Sequence, residues 1–157
     1  MSEYKRVKYR RVLIFLCAAT VLFIWINSLM DEDASADESR AVLEAVATVV
    51  ETVSGVEMDT TDDLWLRKTA HFCEFALLGA ELALLILPRS KKSFQGVCNC
   101  LFPGLLVAVC DESLQLLSNR GSQLPDVLLD FSGVITAVLL VTLLDRWKNR
   151  AGQRQEP

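Results

Sequence analysis

Apolar positions gather in four long runs, 12–30, 69–87, 94–117 and 126–144, separated by segments dense in charge. Each run approaches the roughly 20 residues an α-helix needs to cross a hydrocarbon core of about 30 Å. Only the first is free of charged side chains. The pattern predicts an all-α fold, a polytopic membrane bundle of four transmembrane helices. Between the first two runs, Val42, Val46, Val49, Val50 and Val53 recur at helical spacing with Glu38, Glu44 and Glu51 among them. That periodicity predicts one external amphipathic helix over about 37–54, too polar to span, lying on the outer membrane surface as a lid or a connector.

Charge gives the bundle a direction. Lys5, Arg6, Lys8, Arg10 and Arg11 precede the first run, Arg89, Lys91 and Lys92 follow the second, and Arg146, Lys148, Arg150 and Arg154 follow the fourth. These are 12 of the 16 basic residues, and four crossings bring all three groups to one side, the cytoplasmic one by the positive-inside rule. Residues 31–68, with 11 acidic side chains against three basic, then lie outside. The expected organisation is a basic cytoplasmic N-terminus (1–11), a membrane domain (12–145) and a basic cytoplasmic tail (146–157) of a multi-pass cell-membrane protein. A competing expectation is a cleaved signal peptide ending near Ala34-Ser35-Ala36, which leaves the other three spans in the same orientation.

The composition, 52% hydrophobic with 23% charged residues, fits such segregation. The five cysteines, Cys17, Cys73, Cys98, Cys100 and Cys110, fall in or beside the spans, where thiols pack as small hydrophobic groups, and they suggest no disulfide framework. No Gly-rich phosphate loop or internal repeat is present, so soluble nucleotide chemistry and nucleic-acid binding have no support.

Ionisable residues inside the runs are the informative exception. The second span opens with Arg67 and Lys68, then carries His71, Glu74 and Glu81 at spacings that predict one shared helix face. The third has Asp111, Glu112 and Gln115 near its end; the fourth begins with Asp126 and Asp130, after a turn containing Arg120. In an up-and-down bundle these sets reach a common depth on the outer side. A charge at the bilayer centre costs about 2.5–3.5 kcal/mol on insertion scales, so such side chains face the interior. Acids outnumber bases, and the surplus is relieved by protonating a carboxylate or His71, or by binding a cation. A purely structural account makes the same groups interhelical glue. Small-residue contacts through Gly79, Ala80, Gly133 and Ala137 offer that service more cheaply.

Three ordered blocks, Arg67-Lys68-Thr69-Ala70-His71-Phe72 with Glu74 and Gly79, Asp111-Glu112 with Gln115, and Arg120 with Asp126, Asp130 and Gly133, resemble the VanZ-like family of teicoplanin-resistance-associated membrane proteins. The resemblance implies a small multi-helix membrane protein with a role at the cell envelope in glycopeptide tolerance. The chain departs from the family pattern at Leu114, where a second His is frequent, and at Ser118-Asn119, where Pro-Gly is frequent. No metal ligand set and no cofactor is assigned on this basis.

Three functional classes follow. In the first, an envelope-modifying enzyme acts on a lipid-linked or cell-wall substrate at the outer leaflet. His71, Glu74, Asp111 and Glu112 are the catalytic candidates, Glu112 or Asp111 as general base and His71 as acid or clamp. Arg67, Lys68, Gln115, Arg120, Asp126 and Asp130 are the substrate-binding candidates, the basic ones holding a phosphate or carboxylate. In the second, the same residues bind a lipid headgroup, cation or partner without catalysis. Proton relay through Glu81 ranks last, because four helices form little pathway. Membrane lipids are the partners the composition itself implies; nothing in it sets an oligomeric state.

Overall fold

In hydrocarbon no water can satisfy a backbone N–H or C=O, so each apolar run must close its hydrogen bonds internally as a helix. The computed structural model describes residues 3–30, 41–42, 44–45, 47–48, 51–52, 64–88, 94–118 and 123–153. It contains four long helices: α1 (Glu3–Ser28), α2 (Leu64–Ile86), α3 (Phe94–Leu117) and α4 (Leu124–Gln153). At 23 to 30 residues they are about 35–45 Å long, and all four are long and apolar enough to cross a membrane. No strand occurs among the described residues. The helices outrun the apolar stretches: α1 extends back through the basic N-terminus, α2 takes in Arg67 and Lys68, and α4 continues through Arg146, Lys148 and Arg150.

Of the amphipathic helix expected over 37–54, residues 41, 42, 44, 45, 47, 48, 51 and 52 are helical. There the Thr48 and Thr52 hydroxyls donate to the carbonyls four residues back, Glu44 and Thr48. The remaining positions of 37–54 lie outside the described residues, so the expected external helix is not established as a whole.

Contacts fix the directions. α2 and α4 run parallel, since Lys68 meets Asp126, His71 approaches Asp130 and Gly79 meets Val134. α1 and α3 both run antiparallel to α2: Thr20 and Asn27 of α1 bond Glu81 and Glu74, and Cys100 and Asp111 of α3 lie beside Leu82 and His71. The bundle is therefore up-down-up-down. Its acidic end is where α1 and α3 finish and α2 and α4 begin.

Glycines set the α2–α4 spacing. A Cβ on Gly133 would lie 2.5 Å from the Phe72 carbonyl oxygen, and one on Gly79 would lie 2.7 Å from the Val134 carbonyl oxygen, so only hydrogens fit there. Gly104 of α3 is pressed onto the Val134 methyls, next to Pro103, which has no N–H to offer the turn before it. Around these contacts Ile24, Phe75, Leu78, Ala83, Ala108, Val134 and Val138 form the core. Phe23, Leu77, Phe102, Leu116 and Leu144 are exposed on the outer surface, which suits contact with lipid chains. All five cysteines are free; Cys100 is buried and its thiol donates to Gly96 O at 3.2 Å, whereas Cys73 is exposed.

Candidate functional site at the acidic end of the bundle

Because the chain alternates direction, the last turns of α1 and α3 and the first turns of α2 and α4 share one level. Asp111 on α3 is fully buried. Gln115, one turn further, donates to Asp111 Oδ2 at 3.0 Å. Ser28, at the end of α1, faces both the Ile24 carbonyl, 2.9 Å away, and Asp111 Oδ1; its single hydroxyl proton is best placed on the carboxylate, the stronger acceptor. Ser118 closes the link by donating to the Ser28 carbonyl at 2.9 Å. α1 is thus fastened to the end of α3 through polar groups that would otherwise be orphaned in a nonpolar medium.

His71, one-fifth exposed, stands between α3 and α4. Its Nδ1 is 3.9 Å from Asp111 Oδ2 and 4.0 Å from Asp130 Oδ1. Asp130 is 1% exposed, and its Oδ2 is buried with no hydrogen-bond partner among the described residues. Donor atoms of His71, Asp111 and Asp130 all lie within 4.8 Å of one another. Three helices thus bring one imidazole and two carboxylates together in a buried position.

The other expected site residues divide. Lys68 pairs with Asp126 at 3.1 Å on the half-exposed rim, where an ion pair contributes little to stability. Glu112, almost fully buried, accepts from the Gln123 backbone N–H at 3.2 Å, which ties the α3–α4 turn to α3. Pro125 and Asp126 then start α4, a proline and an acid suited to a first turn. Arg67 is half-buried beside Lys68. Arg120 lies outside the described residues.

His71, Glu74 and Glu81, expected on one face, separate in the bundle. Glu74 Oε1 accepts from Asn27 Nδ2 at 3.3 Å and Glu81 Oε1 from Thr20 Oγ1 at 3.1 Å, so both turn to α1, while His71 turns to α3 and α4. Spacing explains this: seven residues return a helix to nearly the same angle, whereas three leave it about 60° short. The α1 partners Thr20, Asn27 and Ser28, with Ser118, were not among the expected site residues. A signal for two of them exists in the sequence: Thr20 and Asn27, seven apart in the uncharged first span, match the spacing of Glu74 and Glu81.

These α1 bonds are interhelical glue, for which a modest magnitude is expected. A double-mutant cycle on Asn27→Ala and Glu74→Ala, read by thermal unfolding in detergent, should give a coupling of about 0.6 kcal/mol and no more than about 1.7. Strict additivity would mean that Asn27 and Glu74 do not meet.

The fold and site define a class first: a small multi-pass membrane protein whose four helices enclose a buried acid-rich cluster at one end. The chain belongs to the VanZ/LLP1 family, whose model matches residues 13–145, from the first span through the fourth. No curated protein and no solved structure matches it.

Proposed function

We propose that the acidic end of the bundle faces the cell exterior and receives the polar head of a lipid-linked or cell-wall envelope substrate, and that the protein thereby alters susceptibility to glycopeptides, teicoplanin in particular. The observation that carries this reading is the convergence of His71, Asp111 and Asp130 from three helices, including a buried Asp130 oxygen that no described donor satisfies. Packing does not require it, since glycine contacts join α2 to α4 and the α1 bonds already supply glue. A burial that disfavours the fold is better accounted for by a ligand.

The arrangement suits a headgroup at the membrane surface. Lys68 and Arg67 stand at the rim, and they are the bases to hold a phosphate or carboxylate, with Arg120 a further candidate from the sequence. Below them, His71 with Glu112 or Asp111 is the candidate pair for proton transfer, with Glu74 a further catalytic candidate on the α1 side. Binding without catalysis is the second reading. It is favoured by the fixing of Asp111, whose two oxygens are taken by Ser28 and Gln115.

The test is the susceptibility of a sensitive Gram-positive host expressing the protein, beside His71→Ala and Glu112→Gln variants at matched membrane abundance. Selective protection against teicoplanin over vancomycin is expected from the wild type and should vanish with His71→Ala. Glu112→Gln separates the two readings: an enzyme loses protection while still binding the envelope lipid, whereas a binder keeps protection in step with affinity. Wild-type protein present in the membrane without any change in susceptibility would sink the proposal.

A further inference from the structure

We propose that His71, Asp111 and Asp130 form a binding site for one divalent transition-metal ion, with zinc the best match. This goes beyond the envelope reading and does not depend on it, because it concerns the chain's own donors and not the substrate.

Geometry comes first. Three donor atoms within 4.8 Å of one another leave a point among them no more than about 2.8 Å from each, against zinc distances of about 2.0–2.2 Å to His nitrogen and carboxylate oxygen. Closing on an ion requires each donor to move inward by at most about 0.8 Å. The donors sit on α2, α3 and α4, so rotamer adjustments suffice without a change of helix packing.

The electrostatics point the same way. Two carboxylates placed together at this depth repel, and a dication between them balances both charges where they are costly to bury. Asp130 is the independent sign: its carboxylate is directed at His71, it is almost wholly buried, and its Oδ2 has no hydrogen-bond partner among the described residues. Asp111 has the opposite character. Ser28 and Gln115 donate to it, the outer-shell support that orients a ligating carboxylate.

Donor chemistry selects the metal. An imidazole with two carboxylates suits zinc, and also manganese or iron(II), whereas magnesium and calcium favour all-oxygen sets with higher coordination number. Three protein ligands leave a position open for water or for an oxygen of a ligand.

The experiment uses the full chain in detergent, purified without a polyhistidine tag, stripped with a chelator and titrated with Zn²⁺ against a competing chelating dye, with bound metal counted by mass spectrometry. One Zn²⁺ per chain is expected. His71→Gln and Asp130→Asn, both close in size to the native residues, should weaken binding by at least the about 10–100-fold that outer-shell changes produce. Glu81→Gln, away from the donors, should leave it unchanged. Co²⁺ in place of Zn²⁺ should give a spectrum without a thiolate charge-transfer band, separating this site from the five cysteines. Absence of binding, binding retained by Asp130→Asn, or a thiolate signature would each overturn the proposal. None of these readouts involves glycopeptide susceptibility, so the site and the envelope role can fail separately.

Discussion

Gly133→Ala is expected to cost the bundle more stability than Gly104→Ala. The added carbon would sit 2.5 Å from the Phe72 carbonyl oxygen and 3.0 Å from the Ala76 amide nitrogen, and both belong to the backbone of α2. No side chain can turn aside, so α2 and α4 must separate along their length, and Lys68–Asp126 and His71–Asp130 separate with them. Overpacking a well-filled core costs about 1–3 kcal/mol and occasionally more, and a rigid obstacle places this site at the upper end. The gain of up to about 1 kcal/mol in helix propensity on replacing glycine does not offset it. Gly104→Ala offers the contrast: its new methyl meets the side chain of Val134 and not a backbone, so a smaller loss is expected. Thermal unfolding and the monodisperse fraction in detergent measure both variants. Wild-type behaviour of Gly133→Ala would mean that α2 and α4 are not in backbone contact there.

Asp130→Asn is expected to raise the thermal midpoint of the metal-free protein. A buried carboxylate whose second oxygen has no hydrogen-bond partner among the described residues disfavours the folded state, and an uncharged amide of the same shape removes the cost of burying that charge. Relief of repulsion from Asp111 acts in the same direction. Asp111→Leu should do the reverse. It removes the acceptor for Ser28 and Gln115, and hydrogen bonds to a charged group are worth about 1.5–3 kcal/mol each. Two aspartates facing one histidine thus have opposite predicted effects on stability, which interhelical glue would not produce. The same Zn²⁺ concentration should then raise the wild-type midpoint more than that of Asp130→Asn, because a ligand stabilises the native state in proportion to how tightly that state binds it. If Asp130→Asn instead destabilises the metal-free protein as Asp111→Leu does, Asp130 is a structural partner and the ligand-site reading loses its main support.

The two aspartates also mark how far the sequence reaches. His71, Asp111, Gln115 and Asp130 were all recognisable as site candidates, because an ionisable or amide side chain inside an apolar run has few reasons to be there. Their grouping at one level followed from alternating spans. Which of them touch, and which acid is satisfied, did not follow. Asp111 and Glu112 are neighbours in the sequence and equivalent in chemistry, yet Asp111 enters the cluster while Glu112 binds the Gln123 N–H of the turn. Consecutive helical residues point about 100° apart, and only the position of a neighbouring helix decides which direction is the interior.

The same reason separates what the sequence determined alone from what needed the tertiary structure. Membrane class, four spans and the polar ends of the second, third and fourth were legible because hydropathy is a property of about 20 consecutive residues, scored one segment at a time. Partner choice is a property of two helices and of the rotation of each. Thr20, Asn27 and Ser28 appear as stray polar groups in an apolar span until α1 is laid antiparallel to α2 and its end reaches Asp111. Gly133 appears as one more small residue until its missing Cβ is seen to admit the Phe72 carbonyl. The spacing along a helix sets the angles between its own side chains, and only packing against a second helix turns those angles into contacts.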